Sequence, residues 1–312
     1  MTSSSAIPAT TPVPDRRWPV PLALISLYLV WGSTYLAIRF ALESWPPFLM
    51  AAVRFAFAGL LMYGVLRLRG TPAPTPRQWR NAAIVGTLLL LGGNGLVCYA
   101  EQSVSSGIAA VAVASMPLFA TLFNGLYGEW PQRRELLGLA IGFAGVVVLN
   151  LGSSLSGSHL GAIALVCAAA LWAFGSAWSR RQDMPAGGMN TAAQMLCASV
   201  ALALTAGLTG EHLPAHPGLH ATLAIVYLAL FGSIIGFSAY VYLLRSVRPA
   251  LSTSYAYVNP PVAVLFGVML GGEHVGPVDL AGMAVILLGV AIVIFSRNRA
   301  VALQPGMAAS PD

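Results

Sequence analysis

Ser252-Thr253-Ser254-Tyr255-Ala256-Tyr257-Val258-Asn259-Pro260-Pro261 lies inside an uncharged, largely apolar run from Pro249 to Leu270. A helix that crosses a bilayer needs about 20 such residues. Pro260 and Pro261 supply no backbone N–H, so the carbonyls of Ala256 and Tyr257 lose their usual helical donors. In hydrocarbon, a break of that kind is tolerated only beside protein or water. At helical spacing Ser252, Tyr255 and Asn259 share one face. Polar side chains beside a broken backbone predict a binding site at mid-membrane depth.

The stretch has a counterpart. Pro117, in Ala114-Ser115-Met116-Pro117, stands 143 residues before Pro260. The same offset sets Gly32-Ser33 on Gly175-Ser176, Ser103-Val104 on Ser246-Val247 and Gly128 on Gly271. With a slip of one residue, Glu129 falls on Glu273, Gly138 on Gly282 and Gly145 on Gly289. This is one unit written twice.

Composition agrees. Of 312 residues, 57% are hydrophobic and 8% charged, with a mean hydropathy of +0.76. A soluble domain carries about 25% charged residues. Ten apolar runs approach spanning length: Pro19 to Phe40, Pro47 to Leu68, Asn81 to Ala100, Ser106 to Tyr127, Glu135 to Leu151, Leu160 to Trp178, Gly187 to Leu208, Leu219 to Leu244, Pro249 to Leu270 and Val278 to Phe295. The expected fold is therefore an all-α integral membrane protein. Residues 19–151 form one five-helix repeat and residues 160–296 the other, joined by a Gly/Ser linker at 152–159. The tails 1–18 and 297–312 are expected to be disordered.

All 16 basic residues are arginine, and the formal net charge is +6. They stand singly or in pairs between apolar runs and form no basic stripe, so no nucleic acid partner is expected. With the N-terminus in the cytoplasm, 14 of the 16 fall on the cytoplasmic side, which fixes both termini there. An odd number of spans per repeat then makes the second repeat inverted. Inverted repeats belong to secondary transporters that work by alternating access.

Arg54 lies within the second run, about 10 Å from its start. A charge there must pair, reach the interface or face a water-filled cavity. Glu43 and Glu101 are the candidate partners, with Arg39 at similar depth. The set reads as a gate or anchor for a substrate carboxylate, or as a structural ion pair. Glu101 would couple transport to protons if burial raised its pKa. Its place at a helix end, solvated or Arg-paired, argues against that.

Trp31, Ser33 and Tyr35 in the first run, and Trp172, Ser176 and Trp178 in its repeat partner, are candidates to line an aromatic cavity. Asn94 is a polar mid-span residue, suited to a ligand contact or to bonding between helices. Ser115 and Met116 precede the break at Pro117 and are placed opposite the Tyr255–Asn259 face. Gly138, Gly142, Gly145, Gly282 and Gly289 read as packing faces.

No metal or cofactor is expected. His212, His216 and His220 recur every four residues, but Pro214 and Pro217 break the helix that spacing would need. Cys98, Cys167 and Cys197 form neither a disulfide framework nor a zinc pattern and read as small buried residues.

Several stretches carry a family likeness: Trp-Gly-Ser-Thr-Tyr at 31–35, Glu-Ser-Trp-Pro-Pro at 43–47, Val-Arg-Phe at 53–55, Ser-Gly-Ile-Ala-Ala at 106–110, Trp-Ala-Phe-Gly-Ser at 172–176, Leu-Ala-Leu-Phe-Gly-Ser-Ile-Ile at 228–235 and Thr-Ser-Tyr-Ala-Tyr-Val-Asn-Pro at 253–260. Through them the chain resembles the EamA family of the drug/metabolite transporter superfamily, and most of all its inner-membrane exporters. The resemblance covers about Leu22 to Phe295. It implies ten helices in two repeats, a bacterial inner-membrane location and export of a small molecule. Those exporters carry Glu then His where this chain has Glu101-Gln102, which weighs against a histidine-assisted proton relay. The alternatives are an uptake carrier, an intramembrane enzyme acting on lipid, and a non-catalytic scaffold. The soluble segments are too short for a nucleotide-binding domain.

Overall fold

An apolar chain in hydrocarbon must satisfy its backbone internally, and helices do so within one segment. The computed structural model describes residues 20–125, 127–128, 130, 133–151, 159–247 and 254–302, and all regular structure among them is helical. The helical runs are α1 (Val20–Ala41), α2 (Pro47–Leu68), α3 (Pro76–Ala100), α4 (Ser106–Val113 and Met116–Gly125), α5 (Arg133–Leu151), α6 (His159–Ser179), α7 (Gly187–Leu208), α8 (Leu219–Ser246), α9 (Tyr255–Gly271) and α10 (Pro277–Ala302). Seven of them, α1 to α4 and α6 to α8, are long and apolar enough to cross a membrane. Shorter apolar stretches lie in α5, α9 and α10.

Local chemistry sets several boundaries. The structure starts α3 at Pro76, five residues before the expected Asn81. The Thr75 hydroxyl accepts from the Gln78 amide, and the Gln78 side chain accepts from the Thr75 amide. This reciprocal cap, with Pro76 at the first position, nucleates the helix inside a polar stretch. Pro117 does mark a break, since α4 is interrupted at Ala114–Ser115 and resumes at Met116. Pro260 and Pro261 do not. They lie inside α9, which runs unbroken from Tyr255. They fall at its sixth and seventh residues, so the donors they lack are owed only to carbonyls of the first turn. Gly272 ends α9 in a left-handed conformation, φ 61°, that costs glycine little.

Two pairs of helices that the 143-residue offset equates pack tightly against each other. The most extensive contacts in the fold are α5 with α10 and α2 with α7. Gly289 meets Gly142 so closely that a Cβ on Gly289 would stand 2.4 Å from the Gly142 amide nitrogen. Gly142, Gly145 and Gly289 are thus packing positions, as their spacing suggests.

The two ends of the bundle differ in charge. Glu43, Glu101, Glu211 and Glu273 follow or precede helices at one end, the carboxylate end. Loop contacts join that end: Ser44 accepts from the Gly218 amide, and His220 lies 3.2 Å from Glu43. Arg67, Arg77, Arg80, Arg180 and Arg181 flank loops at the other, the arginine end. There Gln78 and Asn81 both donate to Asp183, and the Arg181 guanidinium lies 3.7 Å from the centre of the Tyr127 ring.

Candidate functional site

Three helices change pitch in mid-course. Residues Leu27–Trp31 of α1, Thr87–Gly95 of α3 and Leu228–Phe237 of α8 form π-helical turns. Such turns widen the helix and re-aim side chains, often at functional sites. Here all three border one cavity of about 60 Å³ between α1, α2, α3, α4, α6, α8 and α9. Trp31, Gly93 with Asn94, and Gly232 with Phe237 are their contributions to its wall.

Arg54 reaches this cavity from α2 and is only 3% exposed. Its Nε donates to the Ser233 hydroxyl at 2.8 Å and its Nη1 to the Asn94 carboxamide oxygen at 3.4 Å. Both partners are neutral and both sit on π-helical turns. Among the described residues no carboxylate lies within ion-pair distance of Arg54. A buried guanidinium with neutral partners retains donors and charge for an incoming anion.

Another part of the wall is aromatic. The Trp31 ring lies 5.5 Å from Trp172 and 5.2 Å from Tyr255, both edge-on, and 5.2 Å from Tyr240. Hydrogen bonds fix the cluster: Trp31 Nε1 donates to the Gly232 carbonyl, and Trp172 Nε1 donates to the Tyr240 hydroxyl at 3.2 Å. Gly93 makes room for this wall, since a Cβ there would stand 2.4 Å from the Trp172 ring. The cavity lining therefore combines one cation with a rigid aromatic surface.

At the carboxylate end, Glu273 ties three helices together. It pairs with Arg39 of α1 and accepts from the Ser106 and Gly107 amides at the start of α4 at 2.8 and 3.1 Å. It directly follows α9, and its own amide donates back to the Gly267 carbonyl. Burial alone would raise the Glu273 carboxyl, but hydrogen bonds from Ser106, Gly107 and Arg39 hold it below the ordinary carboxylate range. Glu211 caps α2 in the same manner, accepting from the Phe48 and Leu49 amides. Glu101 stands apart. It is 5% exposed and neither of its oxygens has a hydrogen-bond partner. Burial, and then the charge of Glu273, push its carboxyl well above the ordinary range, and Arg39 opposes without reversing this.

The model of the EamA-like transporter family matches twice, over residues 18–151 and 159–295. The chain belongs to the EamA-like transporter family. Its relatives include the inner membrane transporter YedA of Escherichia coli strain K12, 50% identical over 276 residues that cover 88% of this chain and 90% of that one. A probable terminal-alkyne amino-acid exporter of Streptantibioticus cattleyicolor is 24% identical over 272 residues, 87% of this chain and 92% of that one. A solved crystal structure matches with a TM-score of 0.66 at 24% identity, covering 90% of this chain and 99% of that one, which speaks for the fold alone.

In this EamA transporter the cavity gathers Trp31, Tyr35, Asn94, Met116, Trp172, Tyr255 and Arg54 from the expected set. Other members of the set stand elsewhere. Ser33 bonds to the Tyr227 hydroxyl at 2.6 Å and faces a separate groove between α1, α8 and α9. Ser176 sits behind the aromatic wall and bonds to Tyr240 at 2.7 Å. Ser115 is buried in the α4 break and donates to the Ala112 carbonyl. Asn259 is buried one turn beyond Tyr255, outside the cavity lining, with its carboxamide oxygen unpartnered. Ser252 and Glu129 lie outside the described residues.

The expected partners of Arg54 are corrected too. Glu43 binds His220 instead, and Glu101 is buried without a partner rather than solvated or Arg-paired. Arg39 pairs with Glu273, a residue noticed in the sequence only as the repeat match of Glu129. Cys167 is exposed on α6, not buried. Sequence reasoning also missed Ser233, Gly93 and Gly232. Their signal was present as Gly and Ser within apolar helices, but small residues of that kind mark ordinary packing just as often.

Proposed function

We propose that this EamA transporter is a secondary transporter that exports a small organic solute bearing a carboxylate, by alternating access across the bacterial inner membrane. The observation that carries it is Arg54, a buried guanidinium on a cavity wall with only neutral partners. A solute carboxylate is the natural counter-ion, and the aromatic wall suits its apolar body. The relative named as a probable amino-acid exporter supports both the chemistry and the direction.

All ten helices span in this reading, as two inverted five-helix repeats. The arginine end and both termini face the cytoplasm. Packing of α2 on α7 and of α5 on α10 is what a pseudo-twofold axis between the repeats would produce. The cavity lining holds neither carboxylate nor histidine, so nothing in it favours a lipid-processing enzyme.

The test is an untargeted comparison of culture medium and cell extract from deletion cells carrying wild-type protein or Arg54→Lys. The expected result is one or more carboxylates enriched in the wild-type medium only, at equal membrane abundance. Enrichment inside the cells would favour the uptake reading. Equal loss of abundance in Arg54→Lys and Arg54→Ala would make Arg54 structural.

A further inference from the structure

We propose that Glu101 is the proton-binding group of this transporter's outer gate: it holds one proton while the Arg39–Glu273 pair closes the carboxylate end, and releases it when that end opens. The proposal rests on the alternating-access reading above and adds a proton switch at its outer end.

The geometry leaves an ionised Glu101 little support. Both of its oxygens are buried without a donor, an arrangement that penalises a charged carboxylate heavily. The cation within reach is Arg39, and Glu273 has taken it. Glu273 wins that competition because the Ser106 and Gly107 amides at the N-terminus of α4 also hold its charge. The groups that act electrostatically on Glu101, or it on them, are Glu273 after α9, Arg39 and Tyr35 of α1, and Cys98 one turn back on α3. With Glu273 ionised and paired, a second negative charge beside it is disfavoured, so Glu101 is the carboxyl that carries the proton.

Opening the carboxylate end parts Arg39 from Glu273 and admits water. Glu101 then ionises, its proton passes to water, and the released Arg39 becomes its nearest cation. Closing takes up one proton and opening returns it, so the step balances. Tyr35 lines the cavity and also lies within the field of Glu101, so the proton site borders the solute site. The sign follows: the closed end binds more protons than the open end, and acid favours closure. The pH window runs from the ordinary carboxylate range up to the raised value of Glu101.

The test needs no substrate. Spin labels at Gln102→Cys and His274→Cys, both exposed positions at the carboxylate end, report its width in the full-length protein in lipid nanodiscs, with Cys98, Cys167 and Cys197 replaced. From about pH 5 to about pH 8 the open population of the wild type should rise at least about tenfold with a one-proton slope. Glu101→Gln, which mimics the protonated form and should fold normally, should stay closed throughout. The infrared C=O stretch of a protonated carboxyl should be present in the wild type and absent from Glu101→Gln. Arg39→Ala is the opening control. If it separates the labels while the wild type is flat with pH, or Glu101→Gln titrates like the wild type, the proton assignment is overturned and alternating access stands. If sodium replaces protons in driving the change, the assignment is also overturned. If Arg39→Ala does not separate the labels, this end is not a gate, and the reading beneath the proposal falls with it.

Discussion

Arg39 and Glu273, 234 positions apart, form an ion pair with unequal halves. The Glu273 side chain is 1% exposed and held by two backbone amides, whereas Arg39 is 40% exposed. The carboxylate is the fixed half, and the guanidinium is the half that can leave. Opposite it, Glu101 has no hydrogen-bond partner at all.

The pair and the orphan carboxyl give opposite pH flanks. The contribution of Glu273 is present above the ordinary carboxylate range and lost as pH falls through its lowered value. The contribution of Glu101 is present below the ordinary range and lost as pH rises through its raised value. Melting temperature should therefore peak at mildly acidic pH. Glu273→Gln should cost about 1–3 kcal/mol and flatten the acid flank. Glu101→Gln should flatten the alkaline flank instead. Identical pH profiles for the two variants would contradict this assignment.

Single-cysteine labelling should map the cavity. Thr34→Cys and Val97→Cys line it and should react with a small water-soluble thiol reagent. Ile163→Cys should not, although Ile163 is 59% exposed, because α6 turns that surface to lipid in the spanning reading. Asn259→Cys, buried outside the lining, should be slow. Fast labelling at 259 with none at 34 would relocate the site to the far face of α9.

Gly93→Ala should disturb the aromatic wall. The added Cβ would stand 2.4 Å from Trp172, so the indole or α3 must shift, at a cost of about 1–3 kcal/mol. Gly64→Ala on α2 meets nothing within 4 Å and should gain up to about 1 kcal/mol from helix propensity. Thermal melting with tryptophan fluorescence separates them. Equal melting temperatures and unchanged emission in both variants would mean that Gly93 does not support the wall.

Topology fusions check the orientation. A reporter active only in the periplasm should be active after Gly157 or Gln102 and silent after Asp183. Activity after Asp183 would reverse the membrane sidedness on which the outer gate depends.

The sequence by itself determined the class of solvent, the approximate runs and the repeat. Each is a local or additive property: apolar length marks a candidate span, and a fixed offset sets the duplication. It also singled out Arg54, because a charge within hydrocarbon is conspicuous without any neighbour in view. Partner choice was beyond it. Glu43 and Glu101 looked equivalent as counter-ions for Arg54, yet folding gave one to His220 and left the other alone. The Arg39–Glu273 pair joins the first helix to the turn after the ninth, a separation no local pattern encodes. Of the two breaks expected at prolines, the one at Pro117 is present and the one in α9 is not. Two prolines pointed to α9, but at the sixth and seventh residues they left only first-turn carbonyls without donors, and the helix continued. The irregular backbone at the site is instead the α4 break, between Val113 and Met116, and the three π-helical turns, which contain no proline. Those turns bring Trp31, Asn94 and Gly232 to the cavity wall from three separate helices, and Ser233 to Arg54. The tertiary packing decides which turns open, because only there does the position of one helix depend on the shape of the next.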